Sequence, residues 1–553
     1  MTRSALLRTT AAGIALAGAA LGIAACSGAS NNNTKGGSSV LTIQGDAGDP
    51  TLTENFNPLL PSPPQLGGTR LIYEPLEIAS SVDGSFTPFL ATGYSTPNAT
   101  TVKFTLRSGV KWSDGKPFTA NDVLFTFNLL KKYPALDTTG VWAQLAGISA
   151  SGNDVTMTLK APNVPFTAVL AAVPIVPQHL WQSVKDPTKY ANTKPVGTGP
   201  FALQSFAPTE YVLKKNATYW QASKIVPTSV RFPAQSSNQS TNQLDVSSGK
   251  FDWAYNFLPN VKTTYVARDP QHNKYWFPPG GTIGLFLNLT KAPYTDVNFR
   301  TGLSLALDRP TIAQKAVNGY EGAASLSGLI LPNLQKYLDP SLPNQGVVKQ
   351  DRTAALAAFG KAGYTMQGGK LAKNGKQASM TIEMPNNFSD WVAAATEIKN
   401  ELSKVGIAVS LNEPQFAQYQ KDIGAGSFDA AMGGYGGTGN PYLDFNNALN
   451  SKFATPLNTP TVNNFERYKD PATDQALASL AAATSDSAKK AATDKLEQIM
   501  YQQVPIVLMY YGGSWGLFST KNFTGWPSAS DPYMLPTPYN NAVLVVVTHL
   551  KKA

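Results

Sequence analysis

The feature that most limits how this chain can fold is a repeated switch in hydrophobic period, from every second residue to every third or fourth. Residues 101–132, TVKFTLRSGVKWSDGKPFTANDVLFTFNLLKK, begin with strand-like alternation and turn at Asp114-Gly115. They then carry Val123, Phe125, Phe127 and Leu130 at helical spacing. Thr119 and Asp122 stand at the head of that helical run in the pattern of a capping box, where each residue satisfies the other's backbone N–H. Residues 389–411 run in the opposite order. A helix starts near Ser389 with Ile398, Leu402 and Val405 on one face, stops at Gly406, and gives way to a strand through Ile407, Val409 and Leu411. Units of this kind bury their apolar faces by packing helices on a sheet, so the pattern predicts an α/β fold.

With 553 residues, 42% of them hydrophobic and only 14% charged, the chain has enough apolar surface for more than one lobe. The formal charge is +10, or +8 without Arg3 and Arg8, and no block of five or more Lys/Arg occurs. A charge spread so thinly favours solubility and gives no nucleic-acid-binding patch.

Arg3 and Arg8 precede an apolar stretch, Ala11–Ala24, and the run Ile23-Ala24-Ala25-Cys26 ends in the only cysteine of the chain. This resembles the lipobox of a bacterial lipoprotein, with residues 1–25 as signal peptide and Cys26 as the lipidated residue. A single cysteine excludes an internal disulfide or a thiolate metal cluster. The following SGASNNNTKGGSS, within residues 26–39, has the composition of a flexible tether, and the folded body is expected from about Val40. No later run reaches the roughly 20 apolar residues needed to span a bilayer, so the lipid is the expected anchor, on the outer face of the cell membrane.

Catalytic and cofactor patterns are sparse. The three histidines, His179, His272 and His549, lie far apart and outside any HExxH-type pattern, and neither a GxSxG elbow nor a P-loop is present. No metal and no cofactor are implied. An enzyme acting on saccharides would need two carboxylates about 5–10 Å apart, and the segments discussed below carry only isolated acids.

Several further blocks are more specific. LIYEPLE (71–77), FTLRSGVKWSDGKPFTANDVLFTF (104–127), PVGTGPF (195–201), KNATYW (215–220) and PYTDVNFRTGLSLALDR (293–309) occur in this order. Together they resemble the signature blocks of the family 5 extracytoplasmic solute-binding proteins, the oligopeptide, dipeptide, nickel and oligosaccharide receptors of ABC importers. The resemblance implies a two-lobe α/β fold like that of periplasmic binding proteins, type II, with the extra subdomain of this group and a ligand cleft between the lobes. Lobe one would hold residues 40–283 plus 508–553, with 76–195 as the extra subdomain, and lobe two residues 284–507. It also implies an ABC permease as partner, a monomeric receptor and no enzymatic activity. Asp114-Gly115, the Gly197-x-Gly199-Pro200 corner and the Asp308-Arg309 pair are expected to serve the fold, the last as an ion pair.

The segment GGYGGTGNPYLDF (433–445) bears on the ligand. In peptide-binding relatives the matching stretch resembles Trp-x-Ala-Asp-Tyr, whose aspartate holds the peptide's ammonium group; here Thr438 takes that place and cannot neutralise a cation. The hydroxyl, amide and aromatic groups of Tyr435, Thr438, Asn440 and Tyr442 suit a sugar, with the glycines allowing close approach of backbone to ligand. The resemblance also places Tyr255, Asn256 and Phe416 toward the cleft, and Trp526 lies in a GWP-type ending like that of oligosaccharide-binding members. Trp276 and Trp515 join them from their positions at strand ends. The expected solute is a short oligomer, an oligosaccharide such as a cello-oligosaccharide, with an oligopeptide as the alternative.

Overall fold

The computed structural model describes residues 39–45, 50–61 and 65–553. The expected signal peptide, Cys26 and all of the tether but Ser39 lie outside the described residues.

Both sequence units form as expected. The strand Thr101–Leu106 sits inside an antiparallel sheet with Ala91–Asn98, Asp154–Leu159 and Leu145–Ser151. Thr119 then starts the helix Ala120–Lys132, and its backbone N donates to Asp122 Oδ2 at 2.9 Å. Asp122 Oδ1 also accepts from Gln178 N, which ties the cap to the start of the short helix Gln178–Trp181. Val123, Phe127 and Leu130 are buried and Phe125 is partly buried. In the second unit the helix Ser389–Ser403 ends before Gly406, which has φ +81° and lies so close to Leu371 that a Cβ would meet its N at 2.4 Å. The strand Ala408–Asn412 then pairs in parallel with Ser379–Glu383.

Two further sheets organise the molecule. One runs in the order Val40–Thr42, Ser229–Pro233, Glu210–Lys215, Phe201–Ala207. The other has five strands in the order Ala408–Asn412, Ser379–Glu383, Ala430–Tyr435, Pro279–Leu287, Ile506–Gly513. Pro279–Leu287 is antiparallel to both of its neighbours. The expected lobe boundaries at 283/284 and 507/508 fall inside Pro279–Leu287 and Ile506–Gly513, which lie side by side. A three-stranded sheet, Trp253–Tyr255, Gly516–Ser519 and Asn273–Trp276, adjoins these crossings. The C-terminal helix Ala542–His549 buries Val543–Val547 in the same core as Leu41 and Trp112.

The family blocks clasp one another. A Cβ on Gly197 would sit 1.8 Å from Ile72 O, Gly199 N donates to Ile72 O at 2.8 Å, and Asn216 Nδ2 donates to Gly199 O at 2.9 Å. Trp220 Nε1 donates to the buried carboxyl of Glu74 at 2.9 Å. The expected Asp308–Arg309 ion pair does not form. Asp308 caps the helix Arg309–Val317 through Thr311 N, while Arg309 is fully buried with Nε donating to Leu508 O at 2.8 Å and its terminal nitrogens to Ser304. Carbonyl oxygens are enough to solvate a guanidinium, and they fix the returning strand at the same time.

Glu321 is buried at 7% exposure with Oε1 unpartnered, and burial pushes its carboxyl up to about 8. The folded state therefore holds this proton more tightly than the unfolded state. Its contribution to stability is complete below about pH 4.5 and is lost as pH rises toward 8. Glu321→Gln should raise the unfolding midpoint at pH 8.5, on the order of a few kcal/mol, and leave it nearly unchanged at pH 4.5. Urea titrations at the two pH values check this, and an equal effect at both would show that Glu321 is not protonated in the fold. A second expectation concerns the clasp. Gly197→Ala should cost about 3 kcal/mol or more, because the methyl meets fixed backbone. Gly93→Ala has nothing within 4 Å and should shift the urea midpoint by less than about 0.5 kcal/mol equivalent. Equal midpoints for the two variants would show that the corner yields.

Candidate functional site

A cavity of about 1010 Å³ is walled by Gln44, Arg70, Leu130, Leu136 and Val173 on one side and by Gly437, Thr438 and Leu443 on another, with Tyr255, Tyr539 and Asn541 completing it. This volume is at the upper end for small-molecule sites and suits a ligand of several units. The walls are mostly aliphatic. Among the described lining residues Arg70 is the only charged side chain.

Tyr255 ends the strand Trp253–Tyr255, and its backbone N donates to Gln44 Oε1 at 2.9 Å. Its ring stands edge-on to Tyr539, with centroids 4.9 Å apart at 90°. Burial pushes its hydroxyl up, with the nearby Asp390 carboxylate adding to the effect; burial in turn pushes Asp390 up to about 6. Asp390 itself does not line the cavity.

The glycine-rich segment reaches the cavity through Gly437 and Thr438. Thr438 N donates to Asp444 Oδ1 at 3.1 Å, and its hydroxyl donates to Asn440 O and accepts from Asn440 N. Asn440 Oδ1 accepts from Tyr442 N and so caps the helix Pro441–Leu449. Asp444 is buried, its carboxyl pushed up to about 6, and it does not line the cavity. The glycines serve a purpose other than the expected one. A Cβ on Gly437 would lie 2.0 Å from Gly280 O and one on Gly439 2.3 Å from Ser80 O. The close approach is therefore of protein backbone to protein backbone.

Of the residues singled out in the sequence, the cavity takes Tyr255 and Thr438. Asn440 and Tyr442 border a separate space of about 240 Å³, beside Phe86 and Tyr337. Tyr435 is not a stacking platform. Its ring is a core side chain, its hydroxyl is buried without a partner, and burial pushes that hydroxyl well up. Trp515 is packed between Phe257 and Phe277, each 5.1 Å away, and Trp526 between Trp253 and Phe518, with Nε1 donating to Phe523 O. Both indoles fill core because aromatic rings from other segments close around them. Trp276 is half-buried opposite Gly516, and Asn256 gives its backbone N to Trp515 O; neither lines the cavity. Phe416 is 43% exposed and stacks on Phe388 outside it.

The sequence reading did not mark Arg70, Tyr539 or Asn541. Arg70 carried a signal, since it is a lone charge in the apolar run LGGTRLI of the helix Leu66–Ile72. Its Nε and Nη1 are buried and meet no acceptor among the described residues, and Asn541 Oδ1 is likewise buried without a donor. Among the described residues no group of His, Cys, Asp and Glu could hold a metal ion, and no helix is long and apolar enough to cross a membrane.

Comparisons place this architecture. The Streptomyces lividans protein XP55 is 26% identical over 527 residues, covering 92% of this chain and 88% of its own length. The periplasmic oligopeptide-binding protein of an oligopeptide ABC transporter from Thermotoga maritima superposes with a TM-score of 0.84 at 26% identity, over 93% of this chain and 99% of that one. A mannohexaose-bound structure of the same protein gives 0.78 at 26% identity, over 93% and 98%. Residues 85–456 match the sequence model for bacterial extracellular solute-binding proteins, family 5 Middle. With that match and the two-lobe fold of its structural neighbours, the chain belongs to the family 5 bacterial extracellular solute-binding proteins, the solute receptors of ABC importers.

Proposed function

We propose that this receptor captures a short oligosaccharide and delivers it to a membrane permease as a lipid-anchored monomer without enzymatic activity. The observation that supports this reading is the cavity itself, roomy enough for several units and lined among the described residues by no carboxylate. A peptide's ammonium group would meet no counter-charge from the described lining residues, and burying an unpaired cation costs several kcal/mol. Hydroxyls on the solute can instead use Thr438, Gln44 and Asn541, while Tyr255 and Tyr539 offer ring surface. The Thermotoga relative, described as oligopeptide-binding, has been crystallised with mannohexaose. In this reading the lobes are residues 40–283 plus 508–553 and residues 284–507, closing on the solute about the paired strands Pro279–Leu287 and Ile506–Gly513.

One observation favours the oligopeptide alternative. Asp390 acts on the Tyr255 hydroxyl at the cavity wall and is an acid close enough to meet an ammonium group if the walls shift.

Thermal unfolding of the purified protein distinguishes the readings, because a solute that binds only the folded form raises the midpoint by an amount set by its concentration relative to Kd, about 2.7 kcal/mol at a hundredfold excess. Mannohexaose or a cello-oligosaccharide should raise it by several degrees, with little dependence on salt. A tripeptide that stabilises more strongly, and loses the effect on N-acetylation or in Asp390→Asn, would establish the peptide reading. For the anchor, Cys26→Ser should leave the protein folded but move it from the washed membrane fraction to the soluble one. Retention in the membrane would show a second attachment.

A further inference from the structure

Three buried arginines show how this fold treats a guanidinium that it uses structurally. Arg300 donates to the carbonyls of Gln503, Val504 and Tyr294, and Arg309 to Leu508 and Ser304. Arg467 donates to those of Ile423, Gly424 and Phe465. Each is solvated mainly by backbone oxygens, with only Arg467 Nε among their nitrogens left buried and without an acceptor among the described residues. Arg70 is treated differently. It sits on the cavity wall, with Nε and Nη1 shut away from solvent and without an acceptor among the described residues, and it makes no ion pair there.

Its position is fixed all the same. The helix Leu66–Ile72 packs against the C-terminal helix Ala542–His549, and a Cβ on its Gly67 would lie 2.7 Å from Pro538 O, one on Gly68 2.6 Å from the Tyr211 ring. The guanidinium is therefore held at the cavity on a rigid support. No acid lines the cavity among the described residues; Asp46 and Asp49, which follow Gly45 in sequence, lie outside them.

On this geometry we propose that Arg70 is the anchor for a carboxylate on the solute, so that the receptor takes an acidic oligomer. The proposal rests on the reading of the cavity as the solute site. A guanidinium presents paired N–H donors that match a carboxylate's two oxygens, and in a water-poor cavity such a charge-assisted pair is strong and geometrically specific. The solute would supply the partner that the fold withholds. Burial lowers the guanidinium to about 10, with no acidic neighbour among the described residues acting against it, which leaves it charged at neutral pH. Asn541 Oδ1 offers an acceptor in the same cavity for a solute hydroxyl or amide N–H.

Two sources of carboxylate are separated by two matched pairs of probes: trigalacturonate against its methyl ester, and N-acetyl-trialanine against its C-terminal amide. Calorimetry on the purified protein should show that the acid of at least one pair binds about tenfold or more tightly than its neutral partner. Arg70→Gln should abolish that ratio, and Arg70→Lys should keep part of it. Equal binding of acid and neutral members to the wild type would overturn the anchor, as would a ratio that survives in Arg70→Gln. If mannohexaose binds and neither acid is preferred, the anchor alone falls; if no oligomer binds, the oligomer reading falls with it. A second readout needs no solute. A guanidinium whose Nε and Nη1 are buried with no acceptor among the described residues burdens the empty receptor, so Arg70→Met should hold or raise its unfolding midpoint. A drop of several degrees would show that Arg70 has a partner within the protein and would overturn the proposal.

Discussion

The strand Pro279–Leu287 is the constraint on which the architecture turns. It hydrogen-bonds to Ala430–Tyr435 on one edge and to Ile506–Gly513 on the other, so two distant stretches of chain are placed by a single partner. The register is secured from outside the sheet as well. Arg309 bonds Leu508 O and Arg300 bonds the carbonyls of Gln503 and Val504, so the block 293–309 holds the returning chain where the sheet receives it. Desolvating two guanidinium groups is costly, and carbonyl oxygens with strand pairing offset it. Because the two passages lie side by side, any relative motion of what precedes and follows them must be accommodated at adjacent positions of one sheet.

From that placement the cavity follows. Ala430–Tyr435 delivers its exit loop, Gly436–Gly439, against Gly280 and Ser80, where at positions 437 and 439 only glycine fits. Thr438 arrives at the cavity with its amide already bound to Asp444 and its hydroxyl engaged by Asn440. The rest of the cavity wall comes from other segments, among them Arg70, Tyr255 and Tyr539.

Local patterns in the sequence were read well where a single physical cause decided the outcome. The capping box of Thr119 and Asp122 and the stop at Gly406 depend on neighbours within a few residues. The family blocks were legible too, and their structural meaning is contact among themselves: Gly197 and Gly199 against Ile72, Trp220 against Glu74. The site was less legible because orientation of an aromatic ring depends on what lies across a sheet or in another cluster. Tyr435 sits one residue before the loop that reaches the cavity, yet strand alternation turns its ring into the core. Trp515 and Trp526 were drawn inward by aromatic neighbours remote in sequence. Arg70 could have been suspected as a charge in an apolar helix, but only the lack of an acceptor for its Nε and Nη1 among the described residues gives it meaning, and that is a property of three dimensions.

The C-terminal helix has a bearing on biogenesis. Val543–Val547 complete a core whose first member is Leu41, so this part of the molecule cannot reach its final packing until some five hundred intervening residues have been synthesised. Contacts this remote along the chain form slowly and late. A polypeptide that cannot close its first core early stays pliable for longer.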